Sequence, residues 1–446
     1  MKTAPALVTL LGFFASLFAQ SQSVTAADAQ AVVAAQVQQQ SAGLLELYRH
    51  FHANPELSFQ ETKTSARLAE ELQHAGFTVT THVGGNGVVA VLKNGDGPTL
   101  LLRTELDALP VKEQTGLPFA SHVRATGDQG TEVEVMHACG HDVHLTCLTG
   151  AARVLAQLKD QWRGTLVLIG QPAEEKLSGA RAMLKDGLFT RFPRPDHCLA
   201  LHVASDQPAG TLGYVESFAL ANVDSVDITI RGVGGHGAWP HLTKDPIVLA
   251  AQTVLALQTI VSREVAPGEP AVVTVGSIHG GATHNVIPAE VKLQLTVRSY
   301  SAPVRAQLLQ AIQRQTRGLA LAAGIPDDKL PIVTVTDESS PALCNDPALT
   351  RRVAGVYEKW FGRDHVIARH PVMGSEDFSE YGCTEHKIPV TMFWLGTVPP
   401  DVLKQTLAAG KIPPVLHGGF YKPEAEPTIT TGVTALVAGT LDLLAK

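Results

Sequence analysis

The sequence predicts an α/β protein: a doubly wound, mostly parallel sheet interrupted by an inserted ferredoxin-like module. Three observations carry this expectation. Strand-like apolar runs alternate with helical patterns over most of the chain. Residues 225–339 break that rhythm with a strand and helix order of their own. Acidic, thiol and imidazole side chains fall just past the apolar runs, where open α/β sheets hold their ligands.

Each element follows from local pattern. Val88–Leu92 and Thr99–Arg103 are apolar runs of strand length, and the second leads straight into Glu105 and Asp107. Met136-His-Ala-Cys-Gly-His-Asp-Val-His144 then packs histidines, a thiol and a carboxylate into one short stretch, at the start of an Ala- and Leu-rich helical pattern that runs through Leu158. Thr165–Gly170 leads into Gln171-Pro-Ala-Glu-Glu175, and Cys198–Leu201 into His202. From Ser225 the order is strand (Val226–Ile230), helix (Pro246–Arg263), strand (Ala271–Ser277), strand (Val291–Ser299), helix (Val304–Ala323) and strand (Pro331–Thr336), a β-α-β-β-α-β unit. Ile247–Ile260 is apolar over much of its length, so one face either covers the module's own sheet or meets another subunit. The main domain resumes near Pro341 and includes Val390–Leu395. The expected bounds are 43–224 and 340–446 for the two parts of the main domain, with the insert at 225–339.

Lys2, the apolar run Ala6–Ala19 and the small residues Val24-Thr25-Ala26 read as an export signal at residues 1–26, too short to span a bilayer stably and cut near Ala26. The expectation is an exported protein, periplasmic or secreted. No later segment reads as a membrane helix, and residues Asp28 to Ala42 read equally as a helical leader or a flexible arm. With 446 residues, 45% hydrophobic and 17% charged, the chain can bury a large core in two or more domains. The formal net charge of −7 becomes more negative once Lys2 is removed, which argues against nucleic acid or an anionic membrane surface as partner. Five cysteines are an odd number for an exported chain, so at least one is expected to be free or ligating. Cys139 is the candidate; Cys147, Cys198, Cys344 and Cys383 are expected as buried thiols.

Cys139 and His141 stand two apart in a Gly-containing turn, so one bend can point a thiolate and a neutral imidazole at the same ion. Those donor types suit zinc and its neighbours. Such a pair alone is a weak sign. Its weight comes from Glu174, Glu175 and His202, which belong at the same sheet edge, and adjacent glutamates allow one to ligate while its neighbour takes a proton. Amide hydrolysis near neutral pH needs a strong nucleophile, and water whose pKa a divalent ion lowers to about 7 is one.

Residues 43–446 resemble the aminoacylase and carboxypeptidase-G-like metallopeptidases of clan MH, in particular the hippurate hydrolases and auxin-conjugate (N-acyl amino acid) amidohydrolases. The matching segments are Arg103-Thr-Glu-Leu-Asp-Ala-Leu-Pro110, His137-Ala-Cys-Gly-His-Asp-Val-His144, Gln171-Pro-Ala-Glu-Glu175, Leu201-His-Val203 and Gly234-Gly-His-Gly-Ala-Trp-Pro240, followed by Asn285-Val-Ile-Pro288, Met373-Gly-Ser-Glu-Asp-Phe378 and Leu416-His-Gly-Gly-Phe420. The resemblance implies two divalent ions per subunit, zinc, manganese, cobalt or nickel, held by Cys139, His141, Glu175, His202 and His417. It makes Glu174 the general base and Asp107 the carboxylate that orients a ligating histidine. It also implies that His236 reaches the site, often from a partner subunit, to steady the oxyanion, its flanking glycines allowing the close approach. Asn285 and Arg298 are candidate clamps for a substrate carboxylate. Where the wider clan has a histidine ligand two residues before the aspartate, this chain has Glu105, which is left out of the metal set. The residues after His417 also depart from the charged and polar ones usual in the family.

The implied activity is cleavage of the amide bond of an N-acyl amino acid, with a dipeptidase or carboxypeptidase of the same clan as the alternative, and a homodimer through the insert as lid and dimerisation unit. A thiol hydrolase using Cys139 and a non-catalytic metal- or solute-binding protein are further readings. Simple sequestration has no use for the Glu174-Glu175 pair, and no Gly-x-Ser-x-Gly elbow supports a serine hydrolase. His137 and His144 are read as supports of the turn, Asp142 as the N-cap of the following helix, and Ser375 as the cap of a helix that Glu376 and Asp377 begin. The plainer reading of Arg298 is a solvated surface charge.

Overall fold

A computed structural model describes residues 26–446, and the expected export signal lies outside these described residues but for Ala26. The main sheet has eight strands, in the order Thr78–Val83, Gly87–Asn94, Gly164–Gln171, Thr99–Glu105, His197–Pro208, Val390–Val398, Leu212–Tyr214 and Val366–Ala368. Its centre is parallel, from Gly164–Gln171 across to Val390–Val398. Antiparallel pairing is confined to the flanks. The outer strands Thr78–Val83, Leu212–Tyr214 and Val366–Ala368, of which the first and last are the edges, escaped the sequence reading because each is short or polar.

The central strands are apolar without a break because both faces are covered. Leu100, Leu102, Leu166 and Leu168 face one core, while Leu101, Val167 and Ile169 face the other. Helices Ala26–Ala53, His141–Gln157 and Ala425–Leu443 close the first; the shorter Gly179–Lys185 and Ser379–Cys383 close the second. Full burial of each such side chain contributes roughly 1.5–3 kcal/mol before entropy is counted. The first helix answers the question left open at residues Asp28 to Ala42. Val33, Val37, Leu44, Leu47, Tyr48 and Phe51 recur at helical spacing and all lie in the core, so this stretch is a docked helix.

The insert is a four-stranded antiparallel sheet in the order Ala271–His279, Glu290–Ser299, Asn222–Arg231 and Ile332–Ser340, with helices Pro246–Thr259 and Ala302–Ala322 packed on it. Alternation is clean in Glu290–Ser299: Val291, Leu293, Leu295 and Val297 are buried, while Lys292 and Gln294 are exposed. Asp245 caps the first helix by accepting from the Ile247 and Val248 amides, and Ser301 caps the second by accepting from Val304. Contrary to the expectation of no later membrane-length segment, Pro246–Glu264 is long and apolar enough, by length and composition, to cross a bilayer. In the fold Leu249, Ala250, Leu257 and Ile260 cover the insert's sheet, whereas Ile247, Val248 and Leu255 stay exposed.

Candidate metal centre and substrate cleft

The carboxyl ends of the parallel strands deliver the chemistry. Thr99–Glu105 runs on to Asp107, Gly164–Gln171 runs on to Glu174 and Glu175, and His202 lies just past the last residue at which its strand pairs with Thr99–Glu105. Opposite them, Gly140 opens helix His141–Gln157 from a φ of +77°, and a Cβ there would come within 2.7 Å of the Val203 side chain. Glycine alone satisfies both demands. Asp142 is therefore not the cap. It sits inside the first turn, where its carboxylate accepts from the Val143 amide and from His52 Nδ1 at 2.7 Å, while His52 Nε2 lies 3.0 Å from Glu113.

The five expected ligands converge. His417 Nε2 lies 3.2 Å from the Cys139 sulfur and 3.6 Å from Glu175 Oε2, and His202 Nε2 lies 3.5 Å from the same sulfur. His141 Nε2 is 4.0 Å from Glu175 Oε1 and 3.9 Å from Glu174 Oε2. His141 Nδ1 bonds the Asp107 carbonyl at 2.8 Å and His202 Nδ1 the Val203 carbonyl at 2.9 Å, so both rings turn Nε2 toward the cluster. His141 Nε2 and Glu175 Oε1 are buried without a hydrogen-bond partner. A lone-pair nitrogen and a carboxylate oxygen left facing each other beside a thiol are groups that a divalent cation satisfies. Among the donor sets whose atoms lie within 4.8 Å of one another are Cys139, His141 and His202, then Cys139, Glu175 and His417, and also His141, Glu174 and Glu175. The residues fit a metal centre of two ions that share the neighbourhood of the sulfur.

Without cations the cluster strains against its own charges. Burial, with Glu175 and Glu174 nearby, pushes the Cys139 thiol well above its usual range, and burial raises Glu175 to about 7. Burial also holds His202 down at about 3. In His141 burial is outweighed by the Asp107 hydrogen bond and the surrounding carboxylates, which raise it to about 10. Glu174 is buried, lines the larger cavity and accepts no side-chain hydrogen bond among the described residues; burial, then Glu376 and Glu175, push it well above the carboxylate range. Cations bound alongside reverse that push.

Asp107 meets the candidate ligand His141 through both its main chain and its carboxylate. Its main-chain oxygen makes the short bond to His141, with carboxylate Oδ1 3.5 Å away. Carboxylate Oδ2 accepts from Ser58 Oγ at 2.7 Å and from the Glu175 amide at 3.0 Å.

A charged network that the sequence reading missed lies beneath. Arg103, fully buried, pairs with Glu105, with Glu376 Oε1 at 2.6 Å and with Asp377 Oδ1 at 3.2 Å. His144 Nδ1 donates to Glu105 at 2.9 Å, and the Val203 amide donates to His144 Nε2 at 3.0 Å. Ser375 therefore caps nothing: the helix begins only at Ser379, Glu376 and Asp377 hold Arg103, and the Ser375 hydroxyl accepts from Arg298 at 3.2 Å. His137 is buried with neither ring nitrogen bonded, and burial lowers it to about 4. Cys147 and Cys198 are buried as expected, whereas Cys344 and Cys383 are exposed.

Cavities of about 550 Å³ and about 380 Å³ flank the cluster, both lined by Glu175 and Arg298. Arg298 is thus a cleft residue, anchored on the Met373 carbonyl at 2.6 Å. Trp394 and Leu416 line the larger cavity; Val223 and Thr296, on the insert's sheet, line the smaller. His236 and Asn285 line neither. His236 is exposed on a two-residue strand paired with Val286–Ile287, its ring 4.8 Å from that of Trp239, and Asn285 is exposed beside it.

A sheet wound on both faces, with thiol, imidazole and carboxylate donors toward one edge and two adjacent buried glutamates among them, defines a metal-binding hydrolase. Comparison with known proteins agrees. The model of peptidase family M20/M25/M40 matches residues 101–406. An N-acetyl-L-cysteine deacetylase of Bacillus subtilis is 37% identical over 355 residues, covering 79% of this chain and 80% of that protein. A thermostable carboxypeptidase of Saccharolobus solfataricus is 34% identical over 358 residues, covering 79% and 86%. The solved structure of a dinuclear metal-binding peptidase of the M20 family from Bacillus subtilis is 27% identical, with a TM-score of 0.71 over 90% of this chain and 98% of that one. The chain belongs to peptidase family M20/M25/M40, and it is a hydrolase acting on amide bonds.

Proposed function

We propose that the protein cleaves the amide bond of N-acyl amino acids, with Glu174 as general base. The observation that carries this is the pair of adjacent buried glutamates inside the donor cluster: Glu175 groups with Cys139 and His417, while Glu174 lines the larger cavity, accepts no side-chain hydrogen bond among the described residues and lies 3.9 Å from His141 Nε2. Two divalent ions held by Cys139, His141, Glu175, His202 and His417, with zinc, manganese, cobalt and nickel all suited to such donors, supply when bound an activated water and a polarised carbonyl. Glu174 takes the proton from the attacking water and hands it to the leaving nitrogen. Arg298, at the junction of the two cavities, binds the carboxylate of the amino acid half. His236 and Asn285 act from a second copy of the chain, brought there by pairing of the inserted modules; the exposed Ile247, Val248 and Leu255 support that pairing. The leader at residues 1–26 supports export.

A panel of acetyl-, benzoyl- and indoleacetyl-amino acids against dipeptides, before and after chelation, tests this reading. The expected result is faster turnover of acyl amino acids, loss on chelation and recovery on adding metal. The deacetylase relative supports that outcome; the carboxypeptidase relative makes preference for dipeptides the competing one. Activity that survived chelation would restore the Cys139 thiol as nucleophile.

A further inference from the structure

We propose that Glu61 is a positioning residue for this site: its carboxylate holds Ala173 in the left-handed backbone conformation that opens the turn and splits Glu174 and Glu175 between base and ligand. The proposal rests on the roles assigned to those two glutamates above. Glu61 is 0% exposed, stands just before helix Thr62–His74 and lines neither cavity. Its Oε1 accepts from the Ala173 amide and from the Phe59 amide, both at 2.8 Å, and its Oε2 accepts from Asn86 Nδ2 at 3.1 Å. Among the described residues no cation pairs with it. A buried carboxylate satisfied by amide donors alone is costly to keep, and here those donors belong to unusual backbone.

Ala173 sits at φ +47° and Phe59 at φ +65°, in the region that side chains other than glycine rarely adopt. Leu177, at φ +50°, closes the other end of the Glu174-Glu175-Lys176 segment. Such residues persist only where their surroundings over-determine them. Gly179 contributes, since a Cβ there would lie 1.5 Å from the Pro172 carbonyl oxygen, and the Leu177 amide donates to the Glu174 carbonyl at 2.6 Å. The turn is thus gripped by two carboxylates, Asp107 at the Glu175 amide and Glu61 at the Ala173 amide. Without Glu61, Ala173 relaxes toward negative φ and the two glutamate side chains lose their separate directions.

The test uses Glu61→Gln, Glu61→Ala, Ala173→Gly and the Glu61→Ala/Ala173→Gly double variant, measuring kcat, KM, thermal stability and zinc affinity by chelator competition. Outer contacts of metal sites typically matter by about 10–100-fold in affinity or activity. Glu61→Ala is expected to lower kcat by roughly that factor, with KM changed less, and to weaken zinc binding by about tenfold. Glu61→Gln keeps an acceptor oxygen and is expected to lose less. Glycine adopts positive φ without strain, so Ala173→Gly should recover part of the kcat and zinc affinity lost in Glu61→Ala while improving neither in the wild type. If Glu61→Ala and Glu61→Gln lower only the melting temperature, or if glycine at 173 brings no recovery, the proposal fails. Zinc affinity is read without substrate, so it decides the matter even if the wild type cleaves no compound in the panel.

Discussion

Gly140 and Arg103 illustrate how single residues set this site. Replacing Gly140 by alanine meets both a positive φ and the Val203 side chain. The expected loss is about 1–3 kcal/mol from backbone strain, before any clash. Thermal denaturation and metal content measured together should both fall. Arg103 pairs with Glu105, Glu376 and Asp377 inside the protein. Arg103→Met strands those carboxylates and should cost about 3–5 kcal/mol, read as a shift in the urea midpoint. The two residues differ in how legible they were. Cys139, His141, Glu174 and Glu175 could be found because each stands past a strand end or at a helix start, and His202 because its apolar run stops there, although the strand itself continues to Pro208. Arg103 and Glu376 are 273 residues apart, and no periodicity connects them.

At the scale of elements, helix Ala26–Ala53 does more than cover the sheet, because His52 near its end reaches Asp142 in the first turn of the metal-bearing helix. Burial lowers the His52 pKa, but hydrogen bonds to Asp142 and Glu113 outweigh it and raise the group to about 10. Both carboxylates are held below their usual range; each is opposed by burial and drawn down by the His52 hydrogen bond. A raised histidine stabilises the fold fully below its unfolded pKa of about 6.5, and that contribution fades as pH climbs toward 10. The depressed carboxylates contribute above their unfolded values near 4 and lose that contribution as pH falls further. The melting temperature should therefore decline from about pH 6.5 to 10, and His52→Gln should lower it most near pH 6 and least near pH 10. An equal effect of the substitution at both pH values would remove His52 from this role. The sequence left residues Asp28 to Ala42 open between helix and arm, and it hid the partner of His52, since the Asp142 side chain was expected to cap its own helix.

At the scale of the whole molecule, one chain brings together the candidate metal donors and the proposed base but leaves His236 on an exposed hairpin of the insert. If the inserted modules pair as proposed, Leu255→Glu on the insert's exposed helix face leaves the fold intact, shifts the protein from dimer to monomer in light scattering and lowers hydrolysis; a monomeric wild type would refute that pairing. Subunits carrying Glu174→Gln and His236→Ala are each expected to be nearly inactive alone. Mixed and re-paired, they should recover about a quarter of wild-type activity, because half the dimers are mixed and each of those has one intact site. No recovery would place His236 outside catalysis in trans. Glu174→Gln itself is expected to retain metal while hydrolysis falls by about 10²–10⁴, and full activity in that variant would refute its assignment as base.

By itself the sequence determined the class of fold, the insert's strand and helix order, and the candidates for ligands and base. Apolar periodicity and strand-end placement are local properties, and the physics that produces them acts over a few residues. Only the tertiary structure decided that residues Asp28 to Ala42 dock as helix, that Asp142 serves His52, that Ser375 caps nothing, and that Arg103 joins Glu105 to the distant Glu376 and Asp377. Those contacts join segments far apart in the chain, from 77 residues for Arg298 and Ser375 to 274 for Arg103 and Asp377, and burial without water makes their charges depend on each other.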